Sequence, residues 1–154
     1  MSTLMATLRR ILGAKTSFSP LEKLILDSVN KELPPKLRDV WREQIETVNK
    51  IQRLPGGVES DFYRMKSGRP DNTGVTPLPN MAEEWAIAKV VLTEVGTEKR
   101  IGATVWSVKG FLFSVEYDSD SRYFAESLGS EYMDKLTISC TILGLLPESP
   151  NYTS

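Results

Sequence analysis

Apolar and polar residues alternate with a period of two along residues 84–117, and two short turns divide this stretch into three runs. Such alternation is typical of strands that bury one face. Runs of the same kind occupy residues 58–66 and 133–143. The pattern therefore predicts an antiparallel sheet of about five strands, at 58–66, 84–95, 98–108, 111–117 and 133–143.

The first turn carries Gly96 at the position where a two-residue hairpin loop of type II′ requires a positive φ. That loop places Val95 opposite Glu98. Counting back along both strands pairs Leu92 with Ile101, so one glycine fixes the register of the first hairpin.

The second turn contains Lys109 and Gly110. A two-residue loop of type I′ would force Lys109 to a positive φ, which is uncommon for a residue with a Cβ. A three-residue loop in which Gly110 alone is left-handed avoids this strain and pairs Ser107 with Phe111 through a β-bulge. We predict the three-residue loop, because it also collects the apolar residues on one face.

This register gives the sheet two faces of different character. The mixed face carries an apolar island of Ile87, Trp106 and Leu112, flanked by Lys89, Arg100 and Glu116. The layout requires Trp106 and Phe113 to project from opposite sides of the sheet. The other face is the predicted core and is almost entirely apolar: Ala86, Ala88, Val90, Leu92, Ile101, Ala103, Val105, Phe111, Phe113, Val115 and Tyr117.

Two helices are predicted before the sheet. Ser19 and Glu22 have the spacing of a capping box and Pro20 suits the first helical position, which predicts a helix over 20–31. An apolar stripe predicts a second helix over 36–52. Helices followed by strands indicate an α+β protein of two layers, with the helices packed on one face of the antiparallel sheet.

The length suits a single domain, residues 1–154. Residues 1–16 are basic and amphipathic, which suits a first helix packed on the domain or, over residues 1–15, an anchor on a membrane surface. Residues 67–80 are rich in glycine, proline and asparagine, and this composition predicts a flexible loop. The polar tail at 147–154 is expected to fray.

Composition narrows the chemistry. The formal net charge is −1, so the sequence lacks the basic excess that is typical of nucleic-acid-binding proteins. The chain has no histidine, which excludes Ser-His-Asp and Cys-His catalysis and the usual zinc enzymes. The single cysteine, Cys140, forms no intrachain disulfide and is compatible with a cytoplasmic location. Gly68 and Gly74 lack the spacing of a phosphate-binding loop, and we expect no cofactor.

Three carboxylates alternate at the end of the third run: Glu116, Asp118 and Asp120. Oxygen ligands of this kind can hold magnesium or calcium. The spacing does not match a calcium loop, because Arg122 occupies the fifth position. A solvated acidic turn is therefore the preferred interpretation, and a carboxylate-dependent metalloenzyme is one alternative function.

The preferred hypothesis is a non-catalytic binding or accessory protein that uses protein–protein contacts on the mixed face. A tryptophan within a small apolar island and a charged rim is typical of an interface centre. The partner is another protein or a second copy of this chain; alternatively, residues 67–83 or the N-terminal segment fold over the tryptophan. A peripheral membrane protein anchored by residues 1–15 is the remaining alternative. The predicted partner-binding residues are Ile87, Lys89, Arg100, Trp106, Leu112 and Glu116.

Overall fold

Two helices precede the sheet, as the sequence predicts. The structure, a computed structural model, describes residues 17–128 and 133–145. The helices are α1 (Pro20–Glu32), α2 (Pro35–Glu46) and the short α3 (Arg122–Ser127). The strands are β1 (Lys50–Arg53), β2 (Glu59–Tyr63), β3 (Met65–Lys66), β4 (Arg69–Pro70), β5 (Trp85–Glu94), β6 (Arg100–Val108), β7 (Phe111–Tyr117) and β8 (Leu136–Ile142).

Six of these strands form one antiparallel sheet in the order β1-β2-β7-β6-β5-β8, and β3 and β4 form a separate small hairpin. The α+β class is therefore confirmed. The sheet contains one strand that the sequence analysis missed, because residues 50–53 form an edge strand where a helix was predicted.

Helix α2 ends at Glu46, well before the predicted end at residue 52. Asn49 donates to the carbonyl of Met65 at 3.0 Å and accepts from its amide at 2.7 Å, which joins the chain here to the start of β3. The helical prediction was wrong because Val48 and Ile51 are three residues apart, a spacing that also occurs on a helix face.

The first hairpin has the predicted register. Strands β5 and β6 pair Leu92 with Ile101. The Glu94 amide bonds to the Lys99 carbonyl at 3.0 Å, and the chain turns at Gly96, where φ is +84°. One glycine was therefore sufficient to predict the pairing of β5 with β6 from the turn as far as Ala88 and Val105.

The second hairpin does not have the predicted register. Lys109 and Gly110 both have a positive φ, +54° and +90°, as in a two-residue loop of type I′. Val108 consequently pairs with Phe111. The prediction was wrong because it relied on the strain at Lys109 and on unbroken alternation along residues 111–117, whereas contacts beneath the turn stabilise the two-residue loop.

A β-bulge inside β7 turns the apolar residues on both sides of it toward the core. Strand β6 pairs Ser107 with Leu112 but Trp106 with Ser114, so Phe113 is the extra residue. Leu112, predicted on the mixed face, is 1% exposed and lies in the core. Phe113, predicted in the core, lines a groove together with Trp106. The two rings therefore project from the same side of the sheet, and the predicted layout is wrong on this point.

A second bulge lies in β5. The pairing with β6 shifts between Ala86 and Ala88, so Ile87 is the extra residue there. Ile87, predicted on the mixed face, is buried in the core at 1% exposure, and Ala86, predicted in the core, lies opposite Trp106. We call the face that carries Trp106 the outer face and the opposite one the core face.

The core contains buried residues of α1, α2 and the core face of the sheet. Trp41 of α2 is fully buried, and its indole N–H donates to the Leu26 carbonyl of α1 at 3.0 Å. A buried side chain of this size contributes on the order of 1.5 to 3 kcal/mol to the free energy of unfolding. The core also includes Leu21, Ile25, Val29, Phe62, Val90, Leu92, Ile101, Val105, Leu112 and Val115.

Gln44 of α2 stabilises the second turn. Its fully buried amide donates to the carbonyls of Thr76, at 2.9 Å, and Gly110, at 3.0 Å, and accepts from the Leu112 amide at 2.8 Å. The Leu78 amide also donates to the Gly110 carbonyl, at 2.7 Å. These bonds attach the turn to α2 and to the segment before β5.

The segment 67–80 has two parts. Leu78 and Asn80 are buried, and the chain around them packs beneath the second turn. Residues 67–74 are mostly exposed. This first part contains β4, and the flexibility expected for residues 67–80 stays a prediction.

Two predicted segments, residues 1–16 and 147–154, lie outside the described residues. No helix in the described part of the chain is long and apolar enough to cross a membrane.

Replacing Gly110 by alanine should destabilise the protein by about 3 kcal/mol or more. A Cβ there would lie 2.9 Å from the Pro77 Cβ and 3.0 Å from the Leu78 carbonyl oxygen. Gly74→Ala is the matched control, because φ is +89° there but a Cβ would meet nothing within 4 Å. It should lose only about 1 kcal/mol. Chemical denaturation measures both, and equal losses would contradict the packing beneath the turn.

A buried carboxylate joins the start of α1 to the first two strands. Glu22 closes the predicted capping box with Ser19, at 2.7 and 3.1 Å. It also accepts from Arg53 of β1, at 2.8 and 3.0 Å, and from Ser60 of β2, at 2.7 Å. Burial alone would raise the pKa of Glu22, but these hydrogen bonds and the charge of Arg53 bring it below its ordinary value.

Glu22→Ala should therefore lower the free energy of unfolding by about 3 kcal/mol at pH 7, since it removes the cap and leaves Arg53 and Ser60 without their acceptor. Because the folded-state pKa of Glu22 is lowered, this stability is present above its unfolded pKa of about 4.5 and is lost as the pH falls through the folded value. Asp27→Ala, an exposed acid on the same helix, is the control and should change little. Urea unfolding at pH 7 compares the two variants, and similar losses would show that the network around Glu22 is not stabilising.

Candidate functional site

A groove of about 230 Å³ opens on the outer face beside Trp106. The two β-bulges, at Ile87 and Phe113, lie on either side of this tryptophan. Bulges bend a strand and increase its twist, and they are common next to functional sites. This groove is therefore the candidate site, and its lining residues are Glu59, Glu84, Trp106, Phe113, Ser114 and Glu116.

Carboxylates from three parts of the chain meet at this groove. Glu59 of β2 pairs with Glu116 of β7, and Asp61 of β2 pairs with Ser114. Glu84 approaches from the segment before β5. Like charges directly opposite each other destabilise a sheet. Among the described residues, no lysine or arginine nitrogen lies within 4 Å of any of these four carboxylates.

Aromatic rings form the other part of the site. Phe113 and Tyr63 pack edge to face, with ring centroids 5.6 Å apart. The indole N–H of Trp106 donates to Oε1 of Glu116 at 3.1 Å. The groove thus combines aromatic surface with negative charge.

Glu59 has an unusual protonation equilibrium. Its hydrogen bond with Asp61 is the main cause that raises the pKa of Glu59 to about 7, and burial and the charges of Asp61 and Glu116 act in the same direction. Two carboxyl groups form a hydrogen bond only when one of them carries a proton. Glu59 therefore gains and loses its proton near neutral pH.

Asp61 is the least accessible member of the group. Its side chain is 9% exposed, and its Oδ1 is buried without a hydrogen-bond partner in the described part of the chain. A buried carboxylate oxygen without a partner costs free energy, and Asp61 is adjacent to Glu59 on the same face of β2.

The structure separates the six residues predicted to bind a partner. Trp106 and Glu116 lie together in the groove. Lys89 lies on the outer face in the row that continues through Thr104 to Glu116, and Arg100 is exposed at the far end of β6. Ile87 and Leu112 are in the core, so neither belongs to an outer-face interface.

The three carboxylates considered for a metal have separate partners. Glu116 accepts from Trp106, Asp118 accepts from the Gly102 amide at 3.1 Å, and Asp120 binds Arg122. The hydrogen bond from Arg122 is the main cause that lowers the pKa of Asp120 to about 2. Within residues 17–128 and 133–145, no group of three or more Asp, Glu, Cys or His side chains is placed to hold a metal ion.

Sequence reasoning missed four residues that line the groove, Glu59, Glu84, Phe113 and Ser114, and the neighbouring Asp61. The alternation of Glu59 and Asp61 in a predicted strand was a usable signal, because it places both on one face. Nothing in the sequence, however, brings β2 next to β7. Phe113 was missed because the bulge that turns it outward contains no glycine.

A second hollow, of about 290 Å³, adjoins Phe113 on its other side and is more apolar. Arg64 lines it and is 4% exposed. Its guanidinium donates to Thr47, Asn72 and the Gln44 carbonyl, at 2.7, 3.2 and 2.5 Å. These neutral partners occupy the guanidinium, and we interpret it as a structural link between β2 and α2.

Comparison with protein-family models, with curated proteins and with solved structures found no match to this chain. The function is therefore inferred from the groove itself.

Glu59→Gln should make the protein more stable than wild type at pH 8 and equally stable at pH 4. The raised pKa of Glu59 means that the folded state holds this proton more tightly than the unfolded state. Wild-type stability therefore falls as the pH rises from about 4.5 to about 7, and glutamine removes that loss.

Denaturant unfolding at the two pH values measures this difference. Glu98→Gln, an exposed glutamate in the β5–β6 loop, changes the net charge equally and should show no pH-dependent gain. If the stability of the variant differs from that of wild type by the same amount at both pH values, the pKa of Glu59 is not raised.

Proposed function

We propose that this protein is a non-catalytic binding protein that contacts a partner protein through the groove on the outer face of its sheet. The observation that carries the proposal is the position of Trp106, which lines an open groove between two β-bulges and is joined there by Phe113. Large aromatic side chains at the centre of a concave surface contribute most to protein–protein affinity.

The surroundings of Trp106 support this role. The groove has an aromatic part and a polar rim of carboxylates, which is the usual anatomy of an interface. Lys89 extends the polar rim along the outer face.

The half-buried Cys140, whose thiol pKa is raised by burial, is compatible with the cytoplasmic location expected from the sequence.

A second copy of this chain is an alternative partner at the same surface, because an exposed face can also be used in a homodimer. The membrane-surface alternative depends on residues 1–15, which lie outside the described residues, and it stays a prediction.

Selection of ligands from a displayed random-peptide library tests the proposal. Peptides recovered on wild type should bind Trp106→Ala about 2 kcal/mol more weakly, which is roughly thirtyfold. Thr93→Ala, at the far end of β5 on the same face, should bind them as wild type does. Trp106→Leu serves in place of the alanine variant if that variant does not fold.

The same variants are compared for stability and for self-association. A dimer that Trp106→Ala abolishes would identify a second copy as the partner. A large loss of stability with unchanged peptide affinity would show that Trp106 is a packing residue. That result, or the failure to recover any peptide that depends on Trp106, contradicts the proposal.

A further inference from the structure

Within residues 17–128 and 133–145, the carboxylates of the groove form no ion pair. Four acidic side chains, Glu59, Asp61, Glu84 and Glu116, lie in or beside it, and the described part of the chain brings no lysine or arginine nitrogen within 4 Å of them. Elsewhere this chain does pair buried acids. Glu22, for comparison, receives two bonds from Arg53. The groove is therefore negative and unneutralised.

The buried member of the group gives an independent indication of a missing partner. Oδ1 of Asp61 is buried without a hydrogen-bond partner in the described residues, and its side chain is only 9% exposed. Asp61 is on the same face of β2 as Glu59 and directly opposite Ser114 of β7, and both of these residues line the groove. A buried carboxylate is stabilised by a donor or by a positive charge.

The aromatic side chains favour the same class of ligand. Trp106 and Phe113 line the groove, and the face of an aromatic ring attracts cations. Carboxylates select for positive charge and repel anions. A neutral apolar side chain would leave the carboxylates desolvated and unpaired, which is costly.

We infer that the groove takes a cationic side chain, the guanidinium of arginine or the ammonium of lysine, and that its entry expels a proton from the carboxyl group of Glu59. This inference rests on the proposed function and names the chemistry of the partner. No bond forms or breaks except that the proton passes to solvent.

The sign of the pH dependence follows from the groups around Glu59. Those on its own strand are Asp61 and Tyr63; β7 supplies Glu116 and the segment before β5 supplies Glu84. Among the described residues, three cationic side chains lie near Glu59. Arg53 and Arg122 line a separate hollow that Glu59 also borders, and Lys89 is in the same cross-strand row as Glu116 and Glu59. Since the nearest groups are acidic, rising pH increases the negative charge of the groove. Cation binding should therefore strengthen as the pH rises through about 7, where Glu59 titrates.

The test uses two tripeptides that differ in charge and hardly in shape: acetyl-Gly-Arg-Gly-amide and its counterpart with citrulline. NMR titration follows the indole N–H signal of Trp106, assigned with Trp106→Phe. We expect the arginine peptide to shift this signal and to bind at least tenfold more tightly at pH 8 than at pH 5. The citrulline peptide should leave it unchanged. Calorimetry in buffers of different ionisation enthalpy should show net proton release near pH 7.

Glu116→Gln should weaken binding of the arginine peptide about threefold to fivefold, as expected for loss of one partly exposed charge. Glu98→Gln, with the same change of net charge, should not. Asp61→Asn should abolish most of the pH dependence, and Glu59→Gln serves if that variant does not fold.

The failures can be told apart. Equal binding of the two peptides, or no shift of Trp106 by either, overturns the cationic ligand, while Trp106-dependent peptides from the library would still support the binding function. Tight, charge-selective binding without proton release overturns the link to Glu59 and Asp61. Library peptides that require Trp106 but contain no basic residue also contradict the inference.

Discussion

The phase of strand β7 is the constraint on which both the core and the groove depend. The two-residue turn at Lys109 and Gly110 shifts the pairing of β7 with β6 by one residue relative to the pattern of apolar residues in β7. The bulge at Phe113 compensates for this shift, so that Leu112 and Val115 are both buried although they are three residues apart. A strand with an unbroken period of two would place these two residues on opposite faces. Placing the extra residue outside the core is what brings an aromatic ring next to Trp106.

The strained turn persists because other interactions outweigh its cost. A left-handed residue with a Cβ costs on the order of 1 kcal/mol, whereas buried hydrogen bonds contribute about 1 kcal/mol each and are more costly to leave unmade. Gln44 makes three such bonds at the turn and next to it, and Leu78 adds a fourth. The conformation of Lys109 therefore reflects the packing of α2 and of the segment before β5, and not the local preference of its own sequence.

Local signals in the sequence were sufficient for local structure. The capping box of Ser19 and Glu22 predicted where α1 begins, and Gly96 predicted how β5 and β6 pair. The failures lie where non-local contacts decide. Neither bulge contains a glycine, so alternation alone assigned Ile87 and Phe113 to the wrong faces. Trp106 was placed on the correct face, but Glu59 and Asp61 join it only because β2 pairs with β7, which no pattern along the chain specifies.

Two charged groups of opposite sign lie on the two sides of Phe113, and neither forms an ion pair with another described residue. Arg64 is buried in one hollow, where burial lowers its pKa to about 10 and its hydrogen-bond partners are neutral. Glu59 lines the other hollow, and Phe113 lines both. A salt bridge between Arg64 and Glu59 would neutralise the negative charge of the groove and remove its attraction for a cationic side chain. The bulged phenylalanine, packed edge to face on Tyr63, fills the space between them with apolar atoms. A single inserted residue thus completes the core, supplies aromatic surface to the groove and helps the acidic groups there to remain available for an external cation.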